Sequence, residues 1–176
     1  MSVEIERRFR LKSLPPEAVL DAARMVKITQ AYIQGTGEWI VRIRQTSCKL
    51  FNPRYHLTMK RPVEGSAFAS HEIEFEIDGM TYLNLAIHHT KGACIEKTRW
   101  SIPHGDLTLE FDMFDHPALR HLMILEVELP DENHGVNMPA WFAEAVDAEI
   151  TGDRAYSNYA LAKGIDEMRL SQLRPS

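Results

Sequence analysis

Glu4-Ile5-Glu6, close to the start of the chain, places two carboxylates two residues apart with an apolar residue between them. Residues i and i+2 of a β-strand share one face of the sheet, so these carboxylates would lie side by side. Like charges recur at this spacing in Arg42-Ile43-Arg44, Glu72-Ile73-Glu74-Phe75-Glu76, Lys97-Thr98-Arg99, Glu110-Phe111-Asp112 and Glu126-Val127-Glu128. The residues between the charges are mostly apolar or β-branched. The pattern therefore predicts strands that are charged on one face and apolar on the other.

Runs of this kind, bounded by turn residues, predict about eight strands. They span roughly residues 2–10, 29–34, 39–47, 54–60, 71–78, 93–101, 106–113 and 122–129. Short connections favour antiparallel neighbours, and they lie at Gly35-Thr36-Gly37, Asn52-Pro53 and Pro103-His104-Gly105-Asp106. Helices are expected at roughly 15–24, behind Ser13 as a candidate cap, and at 79–90, 139–147 and 154–164. Neither a repeat nor a linker divides the chain, so residues 1–176 are predicted to form one domain.

The charged faces restrict the architecture. Roughly a dozen ionisable groups facing the dry core of a β-sandwich would cost on the order of several kcal/mol each, even when paired. A closed barrel with a wet, charged interior removes that cost, and helices can cover its apolar exterior. The alternative is an open antiparallel sheet with its charged face in solvent. That alternative explains any single pair better, but a solvated face usually mixes signs, whereas here each strand carries one sign. The predicted fold class is therefore α+β, an eight-stranded antiparallel β-barrel forming a tunnel.

Composition narrows the class of protein. The chain has 176 residues, 44% hydrophobic and 26% charged, as in an ordinary soluble domain. A net charge of -5 argues against a broad nucleic-acid duplex footprint, so phosphate binding would have to be local and enclosed. Apolar runs fall short of the roughly 18 residues that span a membrane, and a targeting segment is not expected. Two distant cysteines, Cys48 and Cys94, favour a reducing, cytoplasmic setting.

The charged pairs also predict chemistry. Glu4/Glu6, Glu110/Asp112 and Glu126/Glu128 offer oxygen ligands, which suit Mg²⁺, Mn²⁺ or Ca²⁺ rather than zinc. Arg42/Arg44, Lys97/Arg99 and Lys60 offer donors for phosphate oxygens. Carboxylates for a metal together with cations for phosphate are typical of phosphoryl chemistry.

The ordered series of motifs resembles the CYTH superfamily, the triphosphate tunnel metalloenzymes. Glu4-Ile5-Glu6-Arg7-Arg8 resembles the ExExK signature of that family. The resemblance covers nearly the whole chain, through Val41-Arg42-Ile43-Arg44, Thr58-Met59-Lys60, Glu72-Ile73-Glu74, Glu96-Lys97-Thr98-Arg99-Trp100, Leu109-Glu110-Phe111-Asp112 and Glu126-Val127-Glu128. Thr151-Gly152-Asp153-Arg154-Ala155-Tyr156-Ser157-Asn158 is similar to the C-terminal segment of the short bacterial inorganic triphosphatase branch.

The resemblance implies an eight-stranded antiparallel tunnel, dependence on a divalent metal (Mg²⁺ or Mn²⁺) and a substrate with a linear triphosphate. The implied metal-binding carboxylates are Glu4, Glu6, Asp112, Glu126 and Glu128, beside Glu110 of the same acidic pair. The implied substrate-binding residues are Arg8, Arg42, Arg44, Lys60, Glu72, Glu74, Lys97, Arg99 and Arg154. Tyr32, Arg8 and Lys97 are the candidate catalytic residues, although a strand tyrosine facing the core explains Tyr32 equally well.

Two departures from the family pattern stand out. Arg8 occupies the position of the signature lysine; it keeps the charge but is bulkier and effectively never loses its proton. Ser70 stands where related sequences often have a basic residue. Hydrolysis of inorganic tripolyphosphate is the expected function. Cyclisation of ATP to cyclic AMP, hydrolysis of thiamine triphosphate and a non-catalytic polyphosphate- or nucleotide-binding module remain alternatives. The oligomeric state stays open.

Overall fold

The strands form one closed antiparallel barrel. The computed structural model describes residues 2–33, 38–90, 92 and 94–173. Its strands are β1 (Ser2–Leu11), β2 (Arg24–Ile33), β3 (Ile40–Cys48), β4 (Phe51–Pro62), β5 (Ala69–Ile77), β6 (Ile95–His104), β7 (Leu107–Phe114), β8 (Met123–Leu129) and a short β9 (Val146–Glu149). The order around the barrel is β1-β8-β7-β6-β2-β3-β4-β5, and β5 pairs back with β1. The predicted fold class is confirmed.

Strand β1 closes the barrel because it pairs with different partners along its length. Its residues 2–5 pair with β5, its residues 5–11 pair with β8 on the other edge, and its residues 9–11 pair with β9. The short strand β9 therefore pairs with the part of the β1 edge that extends beyond β5.

The strands have the two faces that their alternation predicts. On β8, Glu126 and Glu128 line the interior cavity, whereas Leu125, Val127 and Leu129 are buried outside it. The outer side chains join an apolar cluster with Phe9, Leu11, Leu109, Phe111 and Phe142. Burial of this apolar surface stabilises the barrel from the outside, so its interior is free to be polar.

Four helices pack against the barrel: α1 (Glu17–Ala22), α2 (Gly79–His88), α3 (Ala140–Ala145) and α4 (Asn158–Leu173). Helices α1 and α3 cover the apolar cluster of β1, β7 and β8. Helix α2 begins after Asp78, whose carboxylate accepts hydrogen bonds from the backbone N–H groups of Met80 and Thr81. Among the described residues, none of the helices combines the length and apolar character needed to cross a bilayer.

Helix α4 lies across one end of the barrel. Ala162 and Ile165 pack against Phe114 and Ile124, which sit on the interior face two residues from Asp112 and Glu126. The tunnel is therefore apolar at this end and charged in its middle.

Several predicted boundaries are wrong. Strand β2 begins at Arg24, not at residue 29, because Val26 and Ile28 alternate inward and Arg24 to Gln30 pair with β6. Helix α1 begins after Pro16 without a side-chain cap, so Ser13 does not cap it. The fixed backbone angle of proline suits the start of a helix.

Two further segments differ from expectation near the C-terminus. The helix predicted at 139–147 ends at Ala145, and the chain continues as β9 along β1. The helix predicted from 154 begins at Asn158, after a 3₁₀ turn over Arg154–Tyr156.

The predicted turns have mixed outcomes. Gly105, with φ +63°, turns the chain between β6 and β7 as expected. Asn52-Pro53 lies inside β4 instead of forming a turn, and β4 starts at Phe51, three residues before the predicted start at residue 54. The turn predicted at Gly35-Thr36-Gly37, like Gln34 at the end of the predicted strand, lies outside the described residues.

Candidate functional site

The barrel encloses a cavity of about 720 Å³ whose wall is the charged face of the strands. The sequence-predicted site residues that line it are Glu4, Glu6, Arg8, Tyr32, Arg42, Arg44, Lys60, Glu72, Glu74, Lys97, Arg99, Glu110, Glu126, Glu128 and Arg154. They come from every strand of the barrel and from the segment before α4. Asp112 is the exception: it lies on the same interior face of β7 as Glu110, but Lys97 and Arg99 cover its side chain, which is 1% exposed. Barrel closure thus gathers residues that are far apart in sequence.

The charges are distributed unevenly around the wall. The adjacent strands β7, β8 and β1 carry most of its acidic side chains, and in the sheet register Glu6 lies opposite Glu128 while Glu126 lies between Arg8 and Glu110. Strands β3, β4 and β6 carry most of the basic side chains. The tunnel therefore has an acidic side and a basic side.

Arg99 joins the two sides. Its Nε donates to Asp112 Oδ1 over 2.7 Å, and its terminal nitrogens contact Glu110 and Glu126. Lys97, 2% exposed, also donates to Asp112. Burial lowers the pKa of Lys97, and the nearby Arg99 charge acts in the same direction. Asp112 therefore anchors both basic residues of β6.

Arg8 connects the acidic side to the C-terminal segment. Its Nε donates to Glu126 Oε1 over 3.0 Å, and its Nη2 donates to the carbonyl oxygen of Tyr156 over 2.9 Å. Its backbone N–H donates to Thr151 Oγ1. Burial disfavours the charged form of Glu126, but Arg99, Lys97 and Arg8 outweigh burial and hold its pKa well below the usual value.

The remaining carboxylates of the acidic side are under-compensated. Lys60 Nζ donates to Glu4 and lies 3.8 Å from Glu6. Burial, reinforced by Glu126, raises the pKa of Glu6, and burial together with Glu4 raises the pKa of Glu128. Within the described part of the chain, Glu128 has no ion pair shorter than 4.0 Å. This corner of the tunnel therefore carries more negative charge than nearby cations balance.

Strand β5 adds a second set of carboxylates, which face the basic side. Arg44 donates to Glu74 over 2.8 Å, and Arg42 lies 3.8 Å from Glu72. Burial, followed by the charge of Glu4, raises the pKa of Glu72 to about 7. The Nε atoms of both arginines are buried without a hydrogen-bond partner in the described ranges. Both arginines therefore retain donor capacity toward an anion in the cavity.

Two uncharged residues of the wall are Ser70, which the sequence analysis singled out, and Gln30, which it did not. Ser70 lines the cavity and lies opposite Glu4 on β1. A basic residue at position 70, as in related sequences, would therefore lie beside the Glu4 carboxylate. Gln30 lies on the inner face of β2, where its Nε2 donates to the hydroxyl oxygen of Tyr32 over 2.7 Å. Sequence reasoning missed Gln30 because an uncharged side chain adds nothing to a pattern of charges.

The chain matches known proteins along most of its length. A family model described as the CYTH domain matches residues 2–155. An inorganic triphosphatase of Acetivibrio thermocellus is 31% identical over 163 residues, which cover 93% of this chain and 95% of that protein.

Solved structures share the architecture. The crystal structure of the inorganic triphosphatase NE1496 is 30% identical with a TM-score of 0.59, and the match covers 92% of this chain and 95% of that chain. The PH1012 protein from Pyrococcus horikoshii OT3 is 18% identical with a TM-score of 0.53, covering 74% and 80% of the two chains. The latter similarity concerns the fold alone.

Proposed function

The chain belongs to the CYTH domain family, and on that premise we propose that it is a divalent-metal-dependent triphosphatase acting on inorganic tripolyphosphate inside the tunnel. The observation that carries the proposal is the polarised wall, which offers carboxylates on one side and phosphate-binding cations on the other. Relatives named inorganic triphosphatase, similar over more than nine-tenths of this chain, support it. We also propose that the protein is cytoplasmic.

The basic side would bind the triphosphate. Arg42, Arg44 and Lys60 line the cavity, and the two arginines have buried Nε–H groups without a partner among the described residues. Guanidinium and ammonium donors form short, charge-assisted bonds to phosphate oxygens. Lys97, Arg99 and Arg154 complete the proposed set from β6 and the C-terminal segment, with Arg8 next to them. Glu72 and Glu74 hold the two arginines in place before substrate binds.

The acidic side fits a hard divalent cation in its donor chemistry. Glu4, Glu6 and Glu128 offer only carboxylate oxygens, and burial, reinforced by neighbouring carboxylates, raises the pKa of Glu6 and Glu128. Three candidate ligands do not converge into a ready-made cage within the described residues, so the carboxylates would reorient on binding. We propose these three as ligands of Mg²⁺ or Mn²⁺, with Glu110 and Glu126 next to them; both oxygens of Asp112 are already bound by Lys97 and Arg99. A bound ion would neutralise charge on the phosphate oxygens.

In the proposed reaction, a water oxygen bonds to the terminal phosphorus while the bond from that phosphorus to the bridging oxygen breaks, and the bridging oxygen leaves as part of pyrophosphate. Tripolyphosphate and water thus give orthophosphate and pyrophosphate, and the proton of the water passes to solvent through the phosphate oxygens. Burial raises the pKa of Tyr32, so the phenol keeps its proton and acts as a donor. Lys97 and Arg99 stabilise the charge that develops on the transferred group.

The test is hydrolysis by the purified protein. Tripolyphosphate, ATP and thiamine triphosphate are each incubated with Mg²⁺, Mn²⁺ or EDTA, and phosphate, pyrophosphate and cyclic AMP are measured. Release of phosphate from tripolyphosphate, lost in EDTA, is expected. Cyclic AMP would indicate the cyclase, preference for thiamine triphosphate would indicate that substrate, and tight binding without turnover would indicate a binding module.

A carboxylate variant tests the site itself. Glu128→Gln keeps the size of the side chain but removes a charge from the acidic corner, so the activity that depends on Mg²⁺ should fall by about 10²-fold or more. Glu17→Gln, on the exposed surface of α1, removes the same charge outside the tunnel and should leave activity unchanged. Equal activities of the two variants would contradict the assignment of Glu128.

A further inference from the structure

Gln30 is an uncharged polar residue in a wall of charges. It is 1% exposed and lines the cavity on β2, with Ile28 and Tyr32 as its neighbours on the same face. Across the sheet it lies opposite Arg44 on β3 and Ile95 on β6. A buried amide has to satisfy several hydrogen-bonding groups, so an apolar residue would be cheaper to bury. The position of Gln30 therefore calls for an explanation beyond packing.

The hydrogen bond from Gln30 fixes the direction in which the Tyr32 O–H bond points. Gln30 Nε2 donates to Tyr32 Oη over 2.7 Å, so the phenol oxygen accepts on that side. A phenol has a single hydrogen to donate, and that hydrogen must then point away from the Gln30 amide. In the described part of the chain, the Tyr32 hydroxyl has no hydrogen-bond acceptor, and Tyr32 borders the cavity.

Other contacts hold the ring itself. Tyr159 of α4 packs edge-on against Tyr32, with 5.2 Å between ring centroids and an interplanar angle of 75°. Ile95 and Phe114 belong to the same buried cluster. Packing thus sets where the Tyr32 ring lies, whereas Gln30 sets the rotation of its O–H bond.

We propose that Gln30 is a positioning residue that turns the Tyr32 O–H toward the terminal phosphate, or toward the water that attacks it. This role rests on the proposed hydrolysis. The hydrogen bond from Tyr32 would then be oriented before substrate arrives, and a group that is already oriented costs nothing to align during the reaction. Gln30 itself need not touch the substrate.

A double-mutant cycle with tripolyphosphate tests the role. Gln30→Leu removes the donor at nearly constant size, and kcat should fall about tenfold with KM changed less than about twofold, because ground-state binding is left intact. Tyr32→Phe should lower kcat by at least as much. Adding Gln30→Leu to Tyr32→Phe should then have no further effect, because the hydroxyl that Gln30 orients is gone. A purely structural role would lower kcat equally in both backgrounds.

Matched variants keep the test decisive. Ile28→Val changes the same strand and face and should keep wild-type kcat. If Gln30→Leu does not fold, as judged by circular dichroism, Gln30→Glu replaces it. The carboxylate introduced at position 30 would accept the hydrogen bond from Tyr32, which would turn the O–H away from the substrate, so kcat should fall. Adding Tyr32→Phe to this variant should lower kcat no further.

The outcomes separate the two proposals. A wild-type protein that cleaves no triphosphate overturns the proposed function and this role with it. If the wild-type protein is active, three results would overturn the positioning role alone. These are wild-type kcat in the Gln30 variants, wild-type kcat in Tyr32→Phe, or independent effects of the two substitutions.

Discussion

At residue 8 a guanidinium contacts two acceptors through two different nitrogens. Arg8 Nε binds Glu126 and Arg8 Nη2 binds the carbonyl of Tyr156, so one side chain joins the barrel wall to the segment before α4. Arg8→Lys leaves one of these buried acceptors without its donor, which should cost about 1–3 kcal/mol of unfolding free energy. Urea unfolding measures that loss directly.

Arg7 provides the matched control for Arg8. Its guanidinium donates to both carboxylate oxygens of Glu149, but this pair lies on the half-exposed exterior. Because exposed ion pairs contribute about 0–1 kcal/mol, Arg7→Lys should be nearly neutral. Equal losses in the two variants would show that the link from Arg8 to Tyr156 adds no stability.

The sequence predicted which charged residues line the tunnel, but not how they pair. Alternation within a strand places Lys97 and Arg99 on one face. That Arg99 contacts Glu110, Asp112 and Glu126 depends on the register between strands, which the charge spacing leaves open. Asp112 shows the consequence, since it belongs to an acidic pair and yet is buried beneath Lys97 and Arg99, whose side chains both bind it.

Among the secondary-structure elements, those with strong local signals were predicted best. The predicted helix at 79–90 is observed at Gly79–His88, where Asp78 supplies the cap. The segment Arg24–Ile28 was missed, because its pairing partner on β6 is some seventy residues distant and the local sequence also suits a helix end. Helix α3 gives way to β9 for a similar reason, since the free edge of β1 accepts Val146–Glu149. Tertiary pairing decided both boundaries.

Helix α3 should stabilise the barrel mainly through Phe142. Its ring packs edge-on against Phe9 with 5.0 Å between centroids, inside the apolar cluster on the outer face. Phe142→Ala would leave a cavity there and should cost about 3–5 kcal/mol of unfolding free energy. The tunnel wall lies on the opposite face of β1, so hydrolysis by the folded fraction should be unchanged. Denaturant unfolding and an activity assay test the two statements.

Leu83 on the exposed face of α2 serves as the control for Phe142, since half of its surface is exposed. Leu83→Ala should change the unfolding free energy by less than about 0.5 kcal/mol. A comparable loss in both variants would mean that the Phe9–Phe142 contact contributes nothing specific. A loss of activity in folded Phe142→Ala would mean that α3 shapes the tunnel as well as supporting it.

For the whole molecule, closure of the sheet places an acidic side and a basic side around one cavity. Each side is partly balanced by the other, as in the pairs Lys60–Glu4 and Arg42–Glu72. Bound phosphate would draw the cations away from their carboxylates, and a divalent ion would then compensate the carboxylates. The two ligands should therefore favour each other's binding.

This coupling should appear as a stability effect. A ligand at 100 times its Kd adds about 2.7 kcal/mol, and each kcal/mol raises the Tm of a chain of this size by about 2–4 °C. A tripolyphosphate analogue with methylene groups in place of the bridging oxygens, which the protein cannot hydrolyse, should together with Mg²⁺ raise the Tm by more than the sum of the two separate shifts. Thermal melts over a grid of both concentrations measure this, and Glu128→Gln should reduce the excess because it removes charge from the acidic corner. Strictly additive shifts in the wild-type protein would show that the two sides of the tunnel bind independently, which would contradict a shared site for metal and triphosphate.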